Sequence, residues 1–427
     1  MAAIDRIVVI NDYATPKGGA SFLAAQSVRG YRALGYAVTY LTGQAPDPEL
    51  AELGVETQGV GSEGLLQVSA LKGFRQGLHN RDAERMIRDW IKTNDTPGTV
   101  YHLHNWGQIL SPAVYKALRP VEARMIATCH DFFGVCPNGG FLNFPKTEPC
   151  TLRPLSAGCL VSQCDRRSSV HKYWRVARQL HMRRLARFAR NGATFSFIHE
   201  RMKDRYLETG FPARDLVTIP NPVDPWSSKR IEAEKGAGFL FVGRLSKDKG
   251  ADVALEATKR AGVGIIMVGT GPDAEMLARD YPNATFVGWQ AREQIIDFAR
   301  QARALIMSSR VVEPFGLVVL EAAMSGLPVV SAERAFLTAD VVRLGFGAGF
   351  RLHDMDDFEA TLRRLETGDA EVAAMSRAGF ESASQLCHSM DSWIAAHIGV
   401  FSRKLGALAA ARHRAEASID VADPSIL

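Results

Sequence analysis

The sequence has no run approaching the roughly 18 uninterrupted apolar residues that a membrane span needs. Its beginning, Met1 to Asn11, lacks a basic region, a long apolar region and a small-residue cleavage site, so nothing there reads as an export signal. Short internal repeats and low-complexity segments are missing as well. A Gly-x-Gly-x-x-Gly dinucleotide fingerprint is absent too, because Gly269-Thr-Gly271-Pro272 has no third glycine in register. Charge is nearly balanced, with 51 Lys and Arg against 46 Asp and Glu, a net +5 that does not by itself indicate nucleic acid. These absences leave a protein read as cytoplasmic. With 46% apolar and 23% charged residues in 427, the composition is that of a globular chain too long for one core.

What is present is an alternation of short apolar runs and helical stretches, the pattern of a doubly wound parallel sheet. Strands are predicted at Arg6–Ile10, Ala37–Leu41, Thr99–Leu103, Arg124–Thr128 and Ala193–Ile198, with helices at Ala20–Leu34 and Glu200–Thr209. Ile219 to Pro225 then carries three prolines in seven residues, and the polar stretch Trp226 to Gly238 extends this candidate linker. Beyond it the alternation restarts with strands at Phe239–Val242, Gly264–Val268, Thr285–Val287, Ala304–Met307 and Pro328–Ser331. Their helices are predicted at Ala251–Arg260, Pro272–Asp280, Arg292–Arg300 and Gly316–Met324. Two such α/β units facing a cleft place ligands at strand carboxyl ends.

The densest chemistry lies in Phe241-Val-Gly-Arg-Leu-Ser-Lys-Asp-Lys-Gly250 and Glu313-Pro-Phe-Gly-Leu-Val-Val-Leu-Glu321. Arg244 and Lys249 follow a strand end, where an arginine fork and a lysine point charge can neutralise a diphosphate without a metal. Glu313 precedes a helix whose free N–H groups attract anions, and Glu321 lies eight residues on; carboxylates at both places can accept hydrogen bonds from hydroxyls. In the first unit, Gly18-Gly19 between strand and helix lets a phosphate or an acceptor approach the backbone. His130-Asp131 ends another strand, with Asp131 read as orienting the loop; His102 and His104 end a third.

On these residues the chain resembles the family 4 glycosyltransferases, retaining enzymes of the two-domain GT-B fold, most strongly from Phe239 to Val330. The resemblance implies that Arg244 and Lys249 hold the donor diphosphate. It implies that Glu313 and Glu321 contact the donor sugar and the ribose, and that His130 faces the donor sugar. Phe315, Gly316 and Leu317 would complete the donor site with Gly18 and Gly19. No cofactor beyond the nucleotide-diphosphate sugar is implied, and the acceptor would be a saccharide or lipid-linked saccharide in glycan assembly. The domains then run over 1–222, acceptor-side, with an insertion at 132–168, and over 236–388, nucleotide-sugar-binding. The helices of 389–427 return to the first domain, on an apolar face of Trp393, Ile394, Ile398 and Phe401. The family's Gly-Gly-x-x-Glu stretch after Ser331 is replaced by Ala332 to Thr338, which keeps open a catalytically silent sugar-nucleotide-binding subunit; within enzymes the rival reading is a GT-B epimerase.

Five of the six cysteines fall between Cys129 and Cys164. Cys136, Cys150, Cys159 and Cys164 are read as a structural zinc site, as free buried thiols or as a disulfide. Asp165 to Arg190 holds nine Lys or Arg and one acid. Lys172, Arg175, Arg183, Arg187 and Arg190 recur at helical spacing opposite Tyr173, Trp174, Leu180, Leu185 and Phe188. This segment, 172–190, reads as a core helix with a solvated face or as an amphipathic helix touching anionic lipid; no nucleic-acid module accompanies it.

Overall fold

The computed structural model describes residues 3–65, 67–186 and 192–420. The chain folds as two compact units, one of residues 1–137, 173–219 and 390–427, the other of 138–172 and 220–389.

Strands follow in chain order as β1 (Arg6–Asn11), β2 (Ala37–Thr42), β3 (Glu56–Gly59), β4 (Thr99–Leu103) and β5 (Met125–Cys129). A two-residue ribbon of β6 (Leu142–Asn143) and β7 (Glu148–Pro149) comes next, then β8 (Thr194–Phe197) and β9 (Leu216–Thr218). The first unit's sheet has the order β3-β2-β1-β4-β5-β8-β9, and its strands pair in parallel. Its central strands β1, β4 and β5 are buried along nearly their whole length, Thr99 and His102 included, as in parallel sheets covered on both faces. The long helix Met390–Asp420 belongs to this unit. Trp393, Ile394, Val400, Phe401 and Leu405 enter one core with Ile7, Val9, Leu23, Tyr31 and Ile126. Lys404 of the same helix donates to the Gly192 carbonyl (2.6 Å) and to Thr194 Oγ1 (2.9 Å), and burial lowers its pKa to about 8.

The second unit holds β10 (Phe239–Val242), β11 (Ile265–Val268), β12 (Thr285–Gly288), β13 (Ala304–Met307), β14 (Val329–Ala332) and β15 (Gly347–Phe350). They form a parallel sheet of order β12-β11-β10-β13-β14-β15. In both sheets the strand order reverses beside the first strand, between β1 and β4 and between β10 and β13, which marks the ligand-binding crevice of doubly wound folds.

Besides the β6–β7 ribbon, three strands of the two sheets escape the sequence pattern. β3 is polar (Glu-Thr-Gln-Gly) at a sheet edge, β9 is three residues ending against the prolines, and β15 is Gly-Ala-Gly-Phe. The polar stretch Trp226 to Gly238 is not a free linker but packs on the second unit. Ile231 and Ala233 are buried there, Ser227 N–H donates to Ser325 Oγ (3.1 Å), and Arg230 pairs with Glu234 (2.9 Å). The cysteine segment, placed with the first domain by sequence, packs in the second unit from residue 138 to 172.

Candidate active site

In the second unit, β10 and β13 are neighbours, and their carboxyl ends carry the two motifs side by side. Gly243 N–H donates to Val268 O (2.9 Å) and Leu245 N–H to Thr270 O (2.9 Å), laying the 243–245 loop against Gly269-Thr-Gly271. A Cβ on Gly269 would stand 2.0 Å from the Gly243 carbonyl, and one on Gly271 2.1 Å from that of Leu245. The glycines of this stretch serve backbone contact rather than a dinucleotide fingerprint.

Lys249 Nζ pairs with Glu313 Oε2, to which Ser309 Oγ also donates (3.5 Å), so both motifs meet through one ion pair. Arg244, half exposed, pairs with Asp248 at 2.6 Å. Burial pushes the Asp248 carboxyl up, but the Ser246 hydroxyl and the Arg244 guanidinium outweigh it and hold it below the usual carboxylate range. Arg310 grips Asp252 in a fork (2.6 and 2.9 Å) and donates to the Lys247 carbonyl (2.8 Å), tying the β13 loop to the β10 loop.

The helix Leu317–Met324 starts at Gly316, whose left-handed φ of 68° turns the chain from Glu313 into the helix. Phe315 is buried beneath it. Glu321 lies on this helix and pairs with Arg292, which also donates to the Pro225 carbonyl (2.9 Å). Burial raises the Glu321 pKa despite that pairing. The altered stretch after β14 is a built turn: Phe336 N–H donates to Glu313 O (3.1 Å) and Thr338 Oγ1 to Ala332 O (2.7 Å).

In the first unit, Gly18 caps the helix Gly19–Ala33 with φ 129° and ψ 174°, a region essentially reserved for glycine. After β1, Asp12 is fully buried and accepts from the backbone N–H groups of Gln108 (2.7 Å), Ile109 (2.8 Å) and Leu110 (2.8 Å). Burial raises its pKa against those bonds and the charge of Arg178. Arg178 itself is buried, donating to the Gly77 (2.8 Å) and Gly107 (2.7 Å) carbonyls, with its pKa lowered by burial to about 10.

His130 and Asp131 follow β5. A cavity of about 40 Å³, room for a few waters, opens beside them, bordered by Trp106, Tyr115, Cys129 and Tyr206. Asp131 accepts from Phe133 N–H (2.8 Å), which orients the loop, and burial raises it to about 6. His130 Nε2 meets His104 Nδ1 at 3.1 Å. The His102 ring packs on His104 (centroids 4.1 Å) and on His397 of the final helix (4.6 Å). Burial lowers all three strand-end histidines, His130 to about 4 and His102 and His104 well below 6.5.

The signs of these shifts fix a pH dependence. A histidine whose folded pKa is depressed contributes stability present above its unfolded value, near 6.5, and lost as pH falls toward the folded value, about 1.4 kcal/mol per unit. Asp12 and Asp131, raised on folding, act in the opposite sense over the lower part of that range. Three histidines against two carboxylates predict lower stability at pH 5 than at pH 7, by a few kcal/mol in chemical denaturation. Equal stability at the two values would contradict it.

The cysteines do not assemble as a zinc site. Among the described residues, no group of three or more His, Cys, Asp or Glu side chains is disposed to hold a metal. Instead Lys172, 1% exposed, directs Nζ at Cys164 Sγ (3.1 Å) and Cys159 Sγ (3.7 Å). The same residue revises the basic helix, observed over Ser169–Ala186. Lys172 and Arg178 point inward, where they meet thiols and carbonyls, while Tyr173 and Leu180 are more than half exposed. Arg187, Phe188 and Arg190 lie outside the described residues. Among those described, no helix is long and apolar enough to cross a membrane. Asp12, Arg178, Arg292 and Arg310 were not legible as site residues; only the position of Asp12 at a strand's carboxyl end signals it.

Two doubly wound α/β units, each with polar groups gathered beside its switch point, give the chain the GT-B fold class. The model "Glycosyltransferase Family 4" matches residues 17–226 and "Glycosyl transferases group 1" matches 223–382, together most of the length. The chain belongs to the family 4 glycosyltransferases. It is 34% identical over 172 residues to a D-inositol 3-phosphate glycosyltransferase of Mycolicibacterium smegmatis, covering 37% of this chain and 39% of that one. It thus spans half or less of the length of the first curated relatives it matches. The fold is similar to sucrose-phosphate synthase of Thermosynechococcus elongatus (TM-score 0.68, 18% identity, 95% and 100% of the two chains). It is also similar to Anabaena HepE in complex with UDP (TM-score 0.63, 15% identity, 92% and 100%).

Proposed function

We propose that this chain is a retaining glycosyltransferase that moves a sugar from a nucleotide-diphosphate donor to an acceptor hydroxyl. The observation that carries the reading is the meeting of Lys249 and Glu313 at the carboxyl ends of β10 and β13, with Arg244 alongside. The UDP bound to the structurally similar HepE supports a nucleoside diphosphate as the donor's leaving group.

In this reading Arg244, Lys249 and the N–H groups at Gly316 and Leu317 stabilise the negative charge that develops on the departing diphosphate. Preorganised charge of this kind is commonly the largest catalytic term. Before ligand arrives both cations are held by carboxylates, Arg244 by Asp248 and Lys249 by Glu313. Glu313, released in part from Lys249 as the diphosphate arrives, accepts from donor-sugar hydroxyls. Glu321, fixed by Arg292, accepts from the ribose, and His130 faces the sugar.

The two cations supply the charge that a divalent metal supplies elsewhere, so nucleoside diphosphate binding is expected to be unchanged by EDTA. Calorimetric titration with UDP and GDP, with and without chelator, tests this. Binding that vanishes in EDTA and returns with Mg²⁺, or that survives in Arg244→Ala/Lys249→Ala, would overturn the assignment.

A further inference from the structure

The first unit holds a hydrogen-bonded relay from the helix Gly19–Ala33 to His130. Ser27 Oγ lies 2.7 Å from the Ala24 carbonyl and 3.3 Å from His104 Nε2. His104 Nδ1 lies 3.1 Å from His130 Nε2. The planes of His104 and His130 are 15° apart and their centroids 5.4 Å apart. That separation, with the nitrogens 3.1 Å apart, leaves both nitrogens on the line joining the rings. The contact is therefore a linear, in-plane hydrogen bond and not face-to-face packing.

Proton accounting assigns every donor along this line. A carbonyl oxygen only accepts, so the one Ser27 hydroxyl proton is spent on Ala24. Ser27 Oγ must then accept from His104, which places the His104 proton on Nε2. A neutral imidazole carries one N–H, so His104 Nδ1 is a bare lone pair and the proton between the rings belongs to His130 Nε2. Burial holds both rings neutral. His130 Nδ1 is left as an acceptor and makes no protein hydrogen bond among the described residues. His104 is itself held in place: its ring packs on His102, and His102 is fixed by Tyr31 Oη (3.0 Å) and Thr128 Oγ1 (2.8 Å).

We propose that His104, set by Ser27, is a positioning residue that locks His130 in its Nε2–H tautomer, so that Nδ1 accepts a hydrogen bond from a donor-sugar hydroxyl. This rests on the glycosyltransferase reading for the identity of the ligand but not for the tautomer. His130 here recognises a hydroxyl; it does not abstract its proton.

Long-range ¹H–¹⁵N correlation spectra of the full-length labelled protein, without ligand, read the tautomer directly. The expected result is a protonated Nε2 and a bare Nδ1 for His130, with an Nδ1–H population appearing in Ser27→Ala. A wild-type His130 protonated on Nδ1 overturns the relay. Kinetics supply the second arm. His104→Leu leaves the His130 N–H without an acceptor and is expected to raise the donor KM about 10-fold. His104→Asn offers Oδ1 at the place of Nδ1 and recovers most of that loss. Equal losses in the two variants would show a packing role only and overturn the positioning role. Should His104→Leu fail to fold, the Ser27→Ala spectrum and the KM of that variant decide instead, an unchanged tautomer overturning the relay. If the tautomer is as assigned but no nucleotide sugar is turned over, the glycosyltransferase reading fails while the relay stands.

Discussion

Arg244→Ala and Lys249→Ala are each expected to lose sugar transfer by a factor on the order of 10²–10³, the loss typical of removing one strong charge-stabilising donor. The double variant falls near the detection limit while remaining folded. Folding is expected to survive because neither side chain belongs to the apolar core. Arg244 is half exposed in the loop after β10, and the aliphatic strands behind it, Phe239–Val242 and Ala304–Met307, bury their side chains independently of it. Lys249→Ala has a second consequence. It frees Glu313, leaving a carboxylate turned toward an anionic diphosphate, so the loss includes repulsion as well as missing attraction. Lys249→Ala/Glu313→Gln is therefore expected to bind nucleoside diphosphate more tightly than Lys249→Ala alone, without recovering turnover. Near-normal turnover of the Arg244/Lys249 double variant would sink the diphosphate assignment.

The second large effect lies at the other end of the chain. Trp393 is fully buried, and together with Ile394, Val400, Phe401 and Leu405 it completes the core of the first unit from the helix Met390–Asp420. Trp393→Ala removes a large aromatic from a packed interior and is expected to cost about 3–5 kcal/mol, a large share of a domain's stability. Truncation before Met390 uncovers Tyr31, Ile126 and their neighbours at once and should yield no soluble protein. A soluble, active enzyme lacking residues 390–427 would refute the place of this helix in the first core.

Much of this architecture was readable from sequence because both sheets are built on short apolar runs separated by helical periods. Ile7 to Ile10, Phe239 to Val242 and Ala304 to Met307 could hardly be anything else. Glu56–Gly59 and Gly347–Phe350 were invisible since sheet-edge pairing, not hydrophobicity, makes them strands. The residues proposed for the donor side stand out in the sequence because a motif packs Arg244, Lys249, Glu313 and Glu321 at fixed spacing after two neighbouring strands. Their partners were not. Arg292 meets Glu321 from 29 residues away and Arg178 meets the loop of Asp12 from a distant helix, contacts that no local pattern encodes. The inward contacts of the basic helix were out of reach of the sequence for the same reason. Helical spacing shows which residues share a face, and here two cations on that helix find carbonyls and thiols inside.

The central claim is tested most directly by presenting the purified protein with a panel of nucleoside-diphosphate sugars and simple acceptors, and following nucleoside diphosphate release together with the anomeric configuration of the product by NMR. The account predicts release from one donor class, dependent on Arg244 and Lys249, with the donor's anomeric configuration preserved in the product. An inverted product, or binding of nucleotide sugars with no release from any donor in the panel, would contradict it.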